Sequence, residues 1–293
     1  MGRKLASVEI KELVQMLKGR LPECLSLYYL LKNSLKTDNT WPKIDVYIDC
    51  QDLATLTSIV AIWYAQEEAG AAGERGELFY LVYTLDSANL KVLLQTPGVV
   101  PLRKNSNIVC AMSKHANDKS ISELLTNEFY MSLQLNKHAQ SYVLDTMNES
   151  ITNATKRQLP PDFTVAPLRP EHAKELRASY GHGEPPRLSR FENTIKYQQN
   201  LAVFNEKGDP VSWAVIKEHG DIGMAHTVPH YRRRGFSTFL AAKLAQLVLQ
   251  SNDIPFAIIS PLNEASKGGL TKLGFQRRGE EWGLQYYHQH VYN

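Results

Sequence analysis

The chain has 293 residues, enough for two cores of ordinary domain size. Hydrophobic residues make up 43% and charged residues 22%, a globular composition that leaves out disordered and fibrous classes. A net charge of +3 is too small to argue for nucleic acid by itself, and a phosphate-rich small ligand fits it equally well.

Three cysteines, Cys24, Cys50 and Cys110, are few and odd in number. They fit a reducing compartment better than a disulfide framework, and are expected to be small buried hydrophobes. No run approaches the length of a membrane span. The N-terminus shows no hydrophobic signal core. Met-Gly opens a myristoylation pattern, but Ala6 stands where Ser or Thr is wanted. The expected compartment is intracellular, with cytoplasm and mitochondrion both open. Asn148-Glu-Ser150 and Asn153-Ala-Thr155 match the glycosylation sequon by chance in such a setting.

In chain order, Val8 to Leu17 reads as an amphipathic helix ended at Leu21-Pro22. Leu25 to Leu31 is an apolar run, helix or strand. Ile44 to Cys50, Thr57 to Tyr64 and Leu78 to Leu85 read as strands, with Gly70 to Gly76 as a small-residue loop. Asp86-Ser87 starts a helix to about Gln95. Asn107 to Met112 is a short strand, and Lys119 to Met147 has a mostly helical pattern. This half carries no Gly-rich phosphate turn and no metal spacing. Asn153 to Pro167, polar and then Pro-containing, reads as an interdomain linker. Residues 1–155 and 160–293 are therefore the expected domains.

In the second half, Phe163 to Leu168 is a strand, Glu171 to Ser179 a short helix, Gly181 to Pro186 a loop and Leu188 to Tyr197 a helix. Leu201 to Phe204 and Val211 to Lys217 form a hairpin around Asn205 to Pro210. His219-Gly220 turns the chain into a strand at Asp221 to Val228. Pro229 to Gly235, PHYRRRG, is a tight basic turn. Phe236 to Gln250 has helical spacing, with Ser237 and Thr238 as candidate caps. Phe256 to Pro261 is a buried-type strand. Asn263 opens a short helix that ends at Leu273-Gly274-Phe275. Gln276 to Tyr292 gives the last strands, with Gly279 and Gly283 as bends.

The stretch from Asp221 to Gln250 carries the chemistry. A strand, a Gly-containing turn and a helix bind phosphate, because the first helical N–H groups lack internal partners and sit at the positive end of the helix dipole. Gly235 lets the backbone approach an anion without a Cβ in the way. Arg232, Arg233 and Arg234 offer charge and bidentate geometry. The alternative is a solvated basic turn ahead of an ordinary surface helix.

Arg232-x-x-Gly235-x-Ser237 fits the R/Q-x-x-G-x-G/A signature with which the GNAT acyltransferase superfamily holds the pyrophosphate of coenzyme A, with Ser for the usual Gly or Ala. The element order β–α–α–β–β–β–α–β–α–β resembles the GNAT fold. The Asn263 opening and the Leu-Gly-Phe ending at Phe275 fit too. More narrowly, GDIGMAHTVPHYRRRG and Asp209-Pro-Val-Ser-Trp213 are similar to segments of the glycine N-acyltransferases, as is the pattern from Leu13 to Tyr28.

The resemblance implies an α/β (α+β) fold of tandem GNAT-like domains. The first is diverged and without its own coenzyme A motif. The second has a mixed, mostly antiparallel sheet flanked by helices. It implies acyl-CoA as co-substrate, no metal, and direct attack of an amino acid's amine on the thioester. Asp221 stands where those enzymes place a catalytic Glu, and His226 is the second candidate base, titrating near neutral pH. Thr227 and Val228 are expected to pair with the pantetheine amides. Arg232, Arg233, Arg234, Gly235, Phe236 and Ser237 would hold the diphosphate, and Asn263 and Ser266 would complete the cleft. Leu270 stands where many GNAT enzymes place an acid Tyr. Arg187 and Arg190 are candidates for an acceptor carboxylate. A monomer with no nucleic-acid partner is expected. The competing functions are a non-catalytic acyl-CoA-binding regulator and an N-acetyltransferase of another amine.

Overall fold

The computed structural model describes residues 2–37, 41–64, 77–99, 107–112, 123, 126–127, 131–181 and 187–288. The chain forms two compact units, one of Met1–Ala139 with Glu280–Asn293, the other Gln140–Gly279. Their limits fall inside two strands, not in the proline-containing stretch expected to link two domains.

The first unit contains β1 (Arg3–Lys4), α1 (Ser7–Lys18), α2 (Leu25–Lys36), β2 (Lys43–Ile48), β3 (Ser58–Tyr64), β4 (Glu77–Thr84), α3 (Ser87–Leu94) and β5 (Asn107–Met112). Strands β1 to β4 pair antiparallel in order, and β4 pairs parallel with β5. Residues Ile59 to Trp63 are all buried, as the unbroken apolar run IVAIW requires of a strand covered on both faces. Helix α3 begins where Asp86 accepts from the Ala88 N–H at 2.9 Å, satisfying one orphan donor of the first turn. Cys24 is buried, and burial pushes its thiol up to about 12. Cys50 is only half-buried, so it is not the enclosed hydrophobe expected. The Cys110 side chain and the loops at 70–76 and 182–186 lie outside the described residues.

The stretch from Lys119 to Met147, expected to be helical, instead contains strand β6 (Met131–Val143). Met, Leu, Gln, Lys and Ala favour helix in isolation, but a ladder partner far along the chain decides. Gln140 to Val143 pair antiparallel with β11 (Phe256–Ile259). The C-terminal residues form one continuous strand, β12 (Gln276–His288), and not several bent ones. Its Trp282 to Tyr287 pair with β5.

The second unit continues with α4 (Glu149–Lys156), β7 (Thr164–Ala166), α5 (Ala173–Ala178), α6 (Leu188–Tyr197), β8 (Asn200–Phe204), β9 (Pro210–Ile216), β10 (Ile222–Thr227), α7 (Phe236–Gln250), β11 and α8 (Glu264–Lys272). Helix α4 occupies part of the expected linker. Asn148 caps it by accepting from Ile151 N–H at 2.9 Å, and Ile151 is fully buried in the core beside α7.

Strands β10-β9-β8-β7 form an antiparallel sheet with β10 at one edge. Along β9, Ala214 and Ile216 face the α7 core, while Trp213 and Val215 face Phe191 and Ile195 of α6. Helix α7 buries Phe236, Phe239, Leu240 and Leu244, spaced to form one stripe. Its cap is Gly235, with no side-chain bond from Ser237 or Thr238. Strand β11 lies beside β10 without joining its ladder, so the two strands part along one edge.

Candidate active site

The sequence between β10 and α7 folds as two successive turns. A 3-10 turn at Pro229–Tyr231 closes through Tyr231 N–H to Val228 O at 2.9 Å and Arg232 N–H to Pro229 O at 3.2 Å. The chain then enters the left-handed region twice, at Arg233 (φ 63°) and Gly235 (φ 73°). The first backbone bond of α7 runs from Phe239 N–H to Gly235 O at 3.0 Å. Among the described residues, the N–H groups from Arg233 to Thr238 donate to no backbone acceptor. Backbone N–H groups gathered this way at a helix N-terminus make an anion-binding concavity.

The side chains around the turn are more committed than the sequence suggests. Arg232 Nε donates to Thr227 O at 3.0 Å. The Arg234 guanidinium lies over the rings of Phe163 and Tyr231, at 5.7 and 5.4 Å. Phe236 is buried in the core, so only its backbone N–H is available to a ligand. Arg157, from the end of α4, donates through Nη2 to Arg234 O at 2.9 Å.

Part of the backbone expected to pair with the pantetheine at Thr227 and Val228 is already engaged. The Val228 N–H goes to Val211 O at 3.0 Å, and Thr227 O accepts from Arg232. The Thr227 hydroxyl shares a 2.8 Å bond with Ser212 Oγ. The irregular part of the strand lies earlier. The β10–β9 register shifts between Gly223 and His226, and Met224 has φ 47°. Ala214 thus faces both Met224 and Ala225, a bulge of the kind that re-aims side chains beside active sites. Past the bulge, the half-buried His226 stacks on Trp213, with ring centroids 5.1 Å apart. Burial first, and then the Arg232 charge, hold its pKa below the ordinary histidine value. It is therefore a neutral imidazole at neutral pH.

Asp221, the first candidate base, does not have the raised pKa that burial alone would give it. It is completely buried, with Lys217 Nζ at 2.7 Å from one oxygen and His219 Nε2 at 2.9 Å from the other. Burial pushes its pKa up, but the charges of Lys217 and His219 and their hydrogen bonds outweigh that. The carboxyl ends well below the usual range. A Cβ on Gly223 would stand 2.6 Å from Lys217 Cε, so the glycine makes room for the lysine arm. Next to it, Glu218 is also completely buried, 3.3 Å from Arg190 Nε and accepting from Thr194 Oγ1 at 2.6 Å. Arg190 is therefore committed to the interior and is not available to an acceptor carboxylate.

Asn263 and Ser266 serve the fold. Asn263 Oδ1 accepts from Ser266 N–H at 3.1 Å, capping α8. Leu270 is buried in the α7 core. Among the described residues no group of His, Cys, Asp and Glu could hold a metal, and no helix is long and apolar enough to cross a membrane. Sequence reasoning missed Arg157, Lys217 and Glu218 as members of this region. Arg157 lies 77 positions from its partner, and no local pattern marks such a contact.

Asp221→Asn removes one charge from a sealed cluster whose partners are 21% and 17% exposed. Those partners rehydrate in part, so the expected loss is about 2–3 kcal/mol, below that of a fully buried pair. Because the folded pKa is depressed, the stabilisation is fully present above the unfolded value of about 3.9 and is lost progressively as pH falls from there through the lower folded value. Urea unfolding at pH 7 and below pH 4 should show the two proteins converging. An equal gap at both pH values would contradict the ion-paired assignment.

A family model described as FR47-like protein matches residues 201–283, from β8 into β12. Bovine (Bos taurus) glycine N-acyltransferase is 26% identical over 213 residues, covering 69% of this chain and 72% of that one. The match to the mouse (Mus musculus) enzyme covers 60% of its length. Among solved structures, a Drosophila protein matches with a TM-score of 0.76 at 17% identity, covering 97% of both chains. A tandem GNAT protein from the clavulanic acid biosynthesis pathway matches with a TM-score of 0.58 at 11% identity, over 98% of this chain and 97% of that one. The fold is α/β of the tandem GNAT type, and the phosphate-type turn sits where the family signature falls in the sequence. The chain is similar to the glycine N-acyltransferases over about two thirds of its length and has the GNAT fold.

Proposed function

We propose that this N-acyltransferase passes an acyl group from a coenzyme A thioester to the amine of a glycine-type amino acid. The single observation that supports this best is the run of uncommitted N–H groups from Arg233 to Thr238, at the head of α7 and beside the parted edges of β10 and β11. Such a run suits a diphosphate, and the parted edges suit the pantetheine arm that follows it. Arg233 and the backbone of Gly235, Phe236 and Ser237 are the groups we assign to the diphosphate.

Two protons leave the acceptor nitrogen. The ammonium loses the first, the nitrogen attacks the thioester carbonyl, the C–S bond breaks with coenzyme A leaving as a thiolate, and the nitrogen releases the second to solvent as the amide forms. We assign the first proton to His226, which is half-buried and just past the bulge, with its pKa held below the ordinary histidine value. Asp221 is sealed by Lys217 and His219, and we give it the role of holding the β9–β10 turn. The thiolate is a good leaving group, since thiols ionise near pH 8.5, and with Leu270 in the core its protonation falls to solvent. Arg187, at the head of α6, is our candidate for the acceptor carboxylate.

In the first unit the connection from β4 to α3 is only Leu85 and Asp86. Two residues are too few to curl a set of amides around a diphosphate. We therefore assign one coenzyme A site to the chain, in the second unit, and a non-binding role to the first.

The test is thiol release from a panel of acyl-CoA thioesters with glycine, other amino acids and simple amines. Release well above the rate of hydrolysis is expected with a small amino acid. Tight coenzyme A binding with no acceleration by any amine would establish the alternative, a non-catalytic acyl-CoA sensor, which the sealed Asp221 and the missing acid Tyr would suit.

A further inference from the structure

We propose that Arg157 is a positioning residue for the diphosphate turn, an inference that rests on reading that turn as the coenzyme A site. Arg157 follows the last residue of α4. That helix is fixed at its start, where Asn148 caps it and also donates through Nδ2 to Leu273 O at 3.0 Å. It is fixed along its length by Ile151 in the α7 core. Its end therefore arrives at the turn from a rigid support.

There the guanidinium does two things. Nη2 donates to the carbonyl of Arg234 at 2.9 Å, and the group lies across Gly235, where a Cβ would stand 2.0 Å from Nη1 and 3.1 Å from Cζ. A trans peptide is planar, and its C=O and N–H point in opposite directions. Holding the Arg234 carbonyl toward Arg157 therefore fixes the Gly235 N–H on the side of the peptide away from the guanidinium. Preorganised donors bind an anion more tightly because no reorientation is needed on binding. Gly235 then answers two separate demands, a left-handed φ of 73° and space for the guanidinium. The exposed charge also joins those of Arg232 and Arg234.

The test compares coenzyme A with pantetheine, which lacks the diphosphate and nucleotide, by calorimetry on the 293-residue chain and on its Arg157→Ala, Arg157→Lys and Arg157→Gln variants. The wild type should prefer coenzyme A. Arg157→Ala should lose about tenfold in coenzyme A affinity, the scale of one charged hydrogen bond, and nothing for pantetheine. Lys, which keeps a cation and a donor, should recover part of the loss, and Gln less. A second comparison uses Gly235→Ala, whose effect on the thermal midpoint should shrink when Arg157 is also Ala. An unchanged preference in Arg157→Ala, or an equal loss for both ligands, overturns the inference while leaving the site intact. A wild type that binds both ligands alike removes the diphosphate reading itself, and this inference with it.

Discussion

Glu218→Ala should cost the fold about 3–5 kcal/mol, the usual consequence of stranding one member of a buried ion pair. Glu218 has no solvent exposure, and its partner Arg190 has a side chain only 6% exposed. Burial pushes the carboxyl up, yet Arg190, His219 and the Thr194 hydroxyl bring it below the ordinary value. The carboxylate is therefore charged in place. Removing it takes from the buried Arg190 guanidinium the carboxylate 3.3 Å away. The loss should appear as a lower urea midpoint with an unchanged slope. Replacing both residues, as in Glu218→Ala with Arg190→Met, should recover much of it, because an apolar pair has no charge to strand. A single variant within about 1 kcal/mol of wild type would show that water reaches the pair.

His226→Gln should lower kcat by about 10²- to 10⁴-fold, the range for a lost general base, while the thermal midpoint moves little. Since its pKa lies below the ordinary value, the acid limb of the wild-type rate profile should fall below about pH 6.5, and the Gln variant should lack that limb. Asp221→Asn separates the two candidate bases. With the proton going to His226, its effect on rate should follow its effect on stability. An Asp221→Asn protein that keeps its midpoint but loses its rate would transfer the base to Asp221.

The second half of the chain was largely legible. Leu188 to Tyr197 and Phe236 to Gln250 are helices with the expected limits, because their apolar spacing and flanking breakers agree. The turn at Pro229 to Gly235 was legible for a different reason: a left-handed glycine ahead of a helix leaves a local mark. What stayed hidden depends on partners distant in sequence. Strand β6 is rich at its start in residues that favour helix in isolation, and its ladder neighbours across the fold, β12 and β11, make it a strand. Helix α4 looked like linker because its apolar contribution rests on Ile151. Asp221 read as a candidate base because no local pattern announces that Lys217 and His219 pair with it. Arg157 carried no signal at all, since the carbonyl it holds belongs to a segment far downstream.

Strands β6 and β12 each begin in one unit and finish in the other. No single scissor point in the gene therefore yields two self-sufficient products. A fragment starting at residue 160 would carry β11 without the end of β6 and β12 without β5, each exposing an unpaired, aggregation-prone backbone edge.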